Sequence, residues 1–143
     1  ATGDAALLEL ARVFTRNRGK LRRSLRVCWW PGHSHGRYAG STWFADEFAM
    51  DLRRNCIAQL NIDSPGCRDA TEYMEDVMWM QEADGFCKGV IRSVTGKYSR
   101  GKRPLRAGDY SFNQIGLTGF FMLLSNIPPA VRKQKGYNYI VGG

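Results

Sequence analysis

Cys56-Ile57-Ala58-Gln59-Leu60-Asn61-Ile62 runs straight into Asp63-Ser64-Pro65-Gly66, and that junction decides the fold. The first seven residues are too few for a stable helix and rich in aliphatic side chains, which suits a buried strand. Asp-Ser-Pro-Gly stops it, because proline cannot donate to a sheet ladder and glycine opens the turn. Upstream, residues 40–54 place Phe44, Phe48 and Leu52 on one helical face, with Ser41 or Thr42 as cap. Downstream, 73–80 is ambiguous between a strand and the run-in to a helix over 81–94. A further helix is predicted over 5–14, where Leu7, Leu8, Leu10, Ala11 and Phe14 recur at helical spacing. A β-rich run over 25–30 ends at Pro31-Gly32, and residues 117–124 form a third predicted strand after a short helix over 109–115. Strands alternating with helices imply an α/β fold: a mostly parallel or mixed sheet, helices on both faces, and right-handed crossovers.

Composition agrees with a folded domain, since hydrophobic residues make up 43% and charged residues 24% of the 143. The formal charge of +8 raises nucleic acid as a partner, but its distribution lowers it. The basic clusters, Arg16 to Arg26 and Lys97 to Arg106, fall in connections and do not interleave aromatics into a base-stacking platform, Tyr98 being the one aromatic residue within them. No nucleic-acid partner is therefore expected. No apolar run is long enough to span a bilayer, so no membrane partner is expected either. Cys28, Cys56, Cys67 and Cys87 form no C-x-x-C pair and read as reduced, mostly buried thiols, which points to a cytoplasmic protein. Trp29, Trp30, Trp43 and Trp79 are expected in the core. Both ends read as cut, so residues 1–143 are expected to be one partial domain. A cut sheet would associate, as a homo-oligomer or by exchange of elements between copies.

Ligands of such sheets bind outside the carboxyl ends of strands. Both histidines of the chain lie in one such loop, Gly32-His33-Ser34-His35-Gly36-Arg37-Tyr38, and Asp63 ends another strand. Imidazole and carboxylate are the donors that zinc takes from loops of this kind. Arg37 offers a guanidinium fork to a substrate carboxylate and Tyr38 a phenolic donor. Read alone, each also has a structural explanation, as a turn or a loop-stabilising pair. The acidic residues Glu72, Glu75, Asp76, Glu82 and Asp84 read as a solvated face beside a helix.

The order of motifs adds to this. Trp29 to Gly32, then Gly40-Ser41-Thr42-Trp43-Phe44-Ala45, then Asn61-Ile62-Asp63-Ser64, then Gly108-Asp109-Tyr110-Ser111-Phe112 with Ile115-Gly116-Leu117, resembles the zinc-dependent exopeptidases of the aminopeptidase and glutamate carboxypeptidase kind. The resemblance covers nearly the whole chain as a central fragment. It implies zinc as cofactor, a peptide or amide substrate, and Asp63 as a carboxylate ligand of one metal. It sets Asp109 and Tyr110 along the substrate cleft, with Tyr110 in place of the family's histidine. Ala1-Thr2-Gly3-Asp4 resembles the residues just after the family's metal-bridging aspartate.

One departure is plain. Where the family has an acidic pair, a general base followed by a zinc ligand, this loop carries Gly32-His33-Ser34-His35. His33 directly follows the strand end and is the assigned metal ligand; His35 keeps the spacing to Gly40-Ser41 and is the alternative. Ser34 and His35 are then the candidate catalytic residues, an imidazole accepting the proton of a metal-bound water. The implied function is a metal-dependent exopeptidase-like hydrolase, inactive as this isolated segment. The competing reading is a non-catalytic peptidase-like module for binding or assembly.

Overall fold

The computed structural model describes residues 2–33, 35–73, 77–104, 110–123 and 125–138. Helix α1 (Thr2–Arg16) comes first, followed by α2 (Ala39–Glu47) and α3 (Ala49–Asn55), and then β1 (Gln59–Ser64). Strands β2 (Glu72–Tyr73) and β3 (Met78–Trp79) precede α4 (Asp84–Thr95) and the short α5 (Tyr110–Asn113). Strands β4 (Gly119–Leu123) and β5 (Ser125–Asn126) and helix α6 (Pro129–Lys135) follow. The fold is α/β with a small mixed sheet, as the alternating pattern implied.

The sheet has the order β1-β4-β3. β1 and β4 run parallel from Gln59↔Gly119 to Ser64↔Leu123, with a bulge between Ile62 and Ser64. β3 pairs antiparallel to β4, and β2 with β5 forms a separate two-stranded ribbon. Gly119 leaves room at the start of β4 for the ends of two side chains. A Cβ there would lie 2.6 Å from both Asn113 Oδ1 and Gln59 Nε2.

Two apolar cores flank this frame. One joins Val77, Trp79, Ala83, Cys87 and Ile91, with Phe120 against it. It exists because α4 turns the face bearing Cys87 and Ile91 inward, at the i, i+4 spacing of a helical stripe. The other joins Ala45, Leu52, Phe112 and Leu117, with Trp30, Phe44, Cys56 and Ile115 partly buried around it. The helical pattern over 40–54 is real, but Phe48 interrupts it and separates α2 from α3.

The predicted strand over 25–30 does not form; these residues have no strand structure. Their apolar content is used in side-chain packing instead. Trp30 stacks at 5.1 Å from Phe44 and 5.7 Å from Phe112, so the segment serves as a lid on the second core. Trp29 and Trp43 are 47% and 62% exposed, so two of the four expected core tryptophans lie outward. Cys87 is buried and Cys28, Cys56 and Cys67 are half-buried, all as free thiols. Among the described residues no helix is long and apolar enough to cross a membrane.

Trp79 is the most constrained side chain of the first core. It is 3% exposed, its indole nitrogen donates to Asp84 Oδ1 at 3.0 Å, and its backbone amide donates to Lys102 O at 2.9 Å. Gly101 passes flat over the ring. A Cβ at Gly101 would fall 2.3 Å from Trp79 Cζ2, at φ +75°. Asp84 also accepts from Lys88 Nζ at 2.9 Å. These two donors, Lys88 foremost, hold the Asp84 carboxyl below its ordinary value. Asp84 is thus part of the folded frame, where the sequence had suggested a solvated face.

Two outcomes follow. Gly101→Ala, which must push the Trp79 ring aside and adopt a left-handed backbone, should destabilise by about 3 kcal/mol in urea unfolding. A depressed folded-state pKa stabilises the fold above the unfolded carboxylate value and is lost as pH falls through the folded value. Asp84→Asn should therefore lower the melting temperature near neutral pH, with the gap to wild type closing in acid below about 3.9.

Candidate functional site

Asp63 is the next-to-last residue of β1 and the extra residue of its bulge, between Ile62, which pairs with Met122, and Ser64, which pairs with Leu123. The backbone there is crowded by α1. A Cβ on Gly3 would lie 2.4 Å from Asp63 O and 2.5 Å from Ile62 O, so only glycine allows the first turn of α1 to seat on the strand end. The turn after Asp63 is held from the other side, with Ser125 Oγ donating to Pro65 O at 3.3 Å. Asp63 therefore projects from a strand end braced by two elements.

The histidine loop is folded on itself by its glycines. Tyr38 N donates to Gly32 O and to His33 O, both at 2.9 Å, and Gly40 N donates to Pro31 O at 3.2 Å. A Cβ on Gly36 would meet Gly32 O at 2.8 Å, and one on Gly40 would meet Pro31 Cδ at 2.6 Å. Arg37 and Tyr38 pay for this tightness with left-handed backbones, φ 49° and 66°, a conformation uncommon outside glycine. Tyr38 then stands at the start of α2, and its carbonyl accepts from Ser41 Oγ at 3.1 Å.

This loop brings His33 to the end of β1. His33 Nε2 lies 3.8 Å from Asp63 Oδ2, with the two side chains 57% and 46% exposed. The Tyr38 ring meets the His33 imidazole edge-on, with ring centroids 5.1 Å apart. His35 and Arg37 are exposed on the same loop. Tyr110 opens α5, whose next residue reaches the start of α2. Ser111 Oγ is 3.0 Å from Thr42 Oγ1 and 3.3 Å from Ser41 Oγ. Ser34 and Asp109 lie outside the described residues.

The structure thus joins His33, Asp63 and Tyr38 directly and ties the element of Tyr110 to the loop's exit. Sequence reasoning did not anticipate Gly3 as a spacer or the Ser41, Thr42 and Ser111 hydroxyl cluster. The spacing Gly32-x-x-x-Gly36-x-x-x-Gly40 was the available signal for a loop stacked on itself.

Two donors held by one tetrahedral zinc at 2.0–2.1 Å would stand roughly 3.3 Å apart. The observed 3.8 Å is within a small side-chain rotation of that, so the spacing of His33 and Asp63 suits two of the three protein donors that such a site takes. Among the described residues no third histidine, cysteine or carboxylate joins them.

Over 65 residues, 43% of this chain, the sequence is 35% identical to a Zea mays protein described as a probable glutamate carboxypeptidase VP8, and that stretch spans 9% of the maize protein. It is a relation to a peptidase-like protein over part of the chain. No family model matches, and no solved structure matches.

An exposed ion pair adds little to stability. His33→Ala should therefore leave urea unfolding within about 0.5 kcal/mol of wild type. Gly36→Ala, which sets a methyl group against loop backbone, should cost about 1–3 kcal/mol. The reverse order would mean that the histidine, and not the glycine stack, supports the loop.

Proposed function

We propose that this chain forms part of the active centre of a zinc-dependent exopeptidase-like hydrolase, with His33 and Asp63 as metal ligands. The observation that carries the reading is the 3.8 Å approach of His33 Nε2 to Asp63 Oδ2 at the end of a strand in a parallel pair. The partial likeness to a probable glutamate carboxypeptidase supports the same reaction class.

When bound, zinc supplies a water of lowered pKa and polarises the carbonyl to be attacked. The protein's own residues position and neutralise. Asp63 brings one negative charge to the cation from a braced strand end, and His33 brings a neutral nitrogen from a loop that cannot easily swing away. His35, two residues further along, is the proton acceptor in this reading, taking the place of the family's carboxylate base. Ser34 beside it is the second candidate catalytic residue. Arg37 presents a guanidinium fork to the free carboxylate of a peptide, and Tyr38 can donate from its phenol to a developing oxyanion. Tyr110 and Asp109 line the substrate side on the strength of the resemblance.

The test uses the full natural protein supplied with zinc. Metal content is measured separately from release of a carboxy-terminal glutamate from an amino-blocked dipeptide. His33→Ala and Asp63→Asn should each lose zinc. His35→Ala should keep zinc and lose about a hundredfold or more in kcat. Undiminished zinc in both ligand variants would refute the site. Zinc retained with no turnover by wild type would favour the alternative, a non-catalytic peptidase-like binding or assembly module.

A further inference from the structure

Two hollows of the described surface lie away from the His33–Asp63 pair, at the far end of α1. α1 is 15 residues long, so its last turn stands roughly 20 Å from its first, at 1.5 Å rise per residue. There, two adjoining hollows of ≈ 690 and ≈ 570 Å³ open between the end of α1 and the chain that follows it. Both are lined by Phe14, Leu21, Arg22, Arg23 and Leu25. Leu21 and Leu25 are 38% and 53% exposed, so the hollows have an aliphatic lining open to water.

The rim is cationic and unneutralised. Between Glu9 and Asp46 the sequence holds no acidic residue. Of the arginines nearby, Arg12 is paired with Glu9 and Arg26 with Asp51. Among the described residues no ion pair reaches Arg18, Lys20, Arg22 or Arg23. Clustered like charges repel one another, and an anionic partner converts that repulsion into attraction and speeds its capture.

The shape selects among anions. A concave site with leucines in its wall suits side chains inserted from a narrow ligand, whereas a bilayer presents a broad flat surface. Single-stranded nucleic acid takes its affinity from stacking on a series of exposed aromatic rings, and here one half-buried aromatic, Phe14, stands beside the more exposed Leu21 and Leu25. We propose that this groove is a docking site for an acidic peptide segment, which sets carboxylates on Arg18, Arg22 and Arg23 and apolar side chains against Leu21 and Leu25. The proposal is independent of the hydrolase reading, since none of its residues belongs to that site.

The test is anisotropy of a short fluorescent peptide of alternating glutamate and leucine pairs, titrated with the full protein. Saturable binding is expected, weakened about tenfold or more in the Arg22→Glu, Arg23→Glu double variant and about threefold or more in Leu25→Ser. His33→Ala and Asp63→Asn should bind like wild type. Leu21→Ser probes the same wall if Leu25→Ser alters the thermal melt. Three results would overturn the proposal: no saturable binding, unchanged affinity in both leucine variants, or tighter capture of a single-stranded oligonucleotide or of phosphatidylserine vesicles than of the peptide.

Discussion

The parallel pairing of β1 with β4 is the constraint on which the rest of the molecule depends. β4 sits in the centre of the sheet, with β3 on its other side, so it ties the core around Trp79 to β1. The second core reaches the same strand pair from the opposite direction in sequence. Leu117 is buried in it just ahead of β4, and Cys56 packs against it just ahead of β1. Parallel strands require a long crossover, and here that crossover contains β2, β3, α4 and α5. Slippage of β1 against β4 would carry Asp63 away from the loop that supplies His33.

The two ends of α1 show how one helix serves different tasks. Its first turn presses against the carbonyls of Ile62 and Asp63, which is possible because residue 3 has no side chain. Its last turn leads into an arginine-rich segment that forms no strand and no ion pair with α1. The first end is a matter of close packing and the second of unscreened charge. Such exposed charges respond to salt within about a Debye length of 10 Å at 0.1 M, whereas the glycine contact does not.

Much of the frame was legible in the sequence. Apolar periodicity located α1, α4, β1 and β4, and the strand-end rule put Asp63 at the end of β1; the same rule reached His33 through a strand over 25–30 that does not form, and the glycine-stacked loop brings His33 to Asp63 instead. The failures have a common physical origin. A β-rich composition reports that side chains fit a pleated, half-buried surface, and it does not report whether a partner strand is present. Residues 25–30 have that composition, yet Trp30 is satisfied by Phe44 and Phe112. The ribbon of β2 with β5 has two residues in each strand, too few to generate a pattern. Asp84 looked solvated because its partner, the Trp79 indole, is brought to it by tertiary packing across the turn at Gln81–Ala83. Glycine contacts are equally silent, since Gly3 and Gly85 look alike in sequence, and only the first has backbone against it.

The His33–Asp63 pair is exposed, and exposed ion pairs add little to stability, so its proposed role as a pair of zinc ligands can be tested apart from folding. Nitrogen-15 NMR of the two imidazoles during zinc titration tests this most directly, because the chain has only two histidines and each ring nitrogen reports its own coordination. The expected result is a shift at Nε2 of His33 on adding zinc, abolished by Asp63→Asn, with His35 unaffected. A shift at His35 alone, or at neither ring, would contradict the assignment.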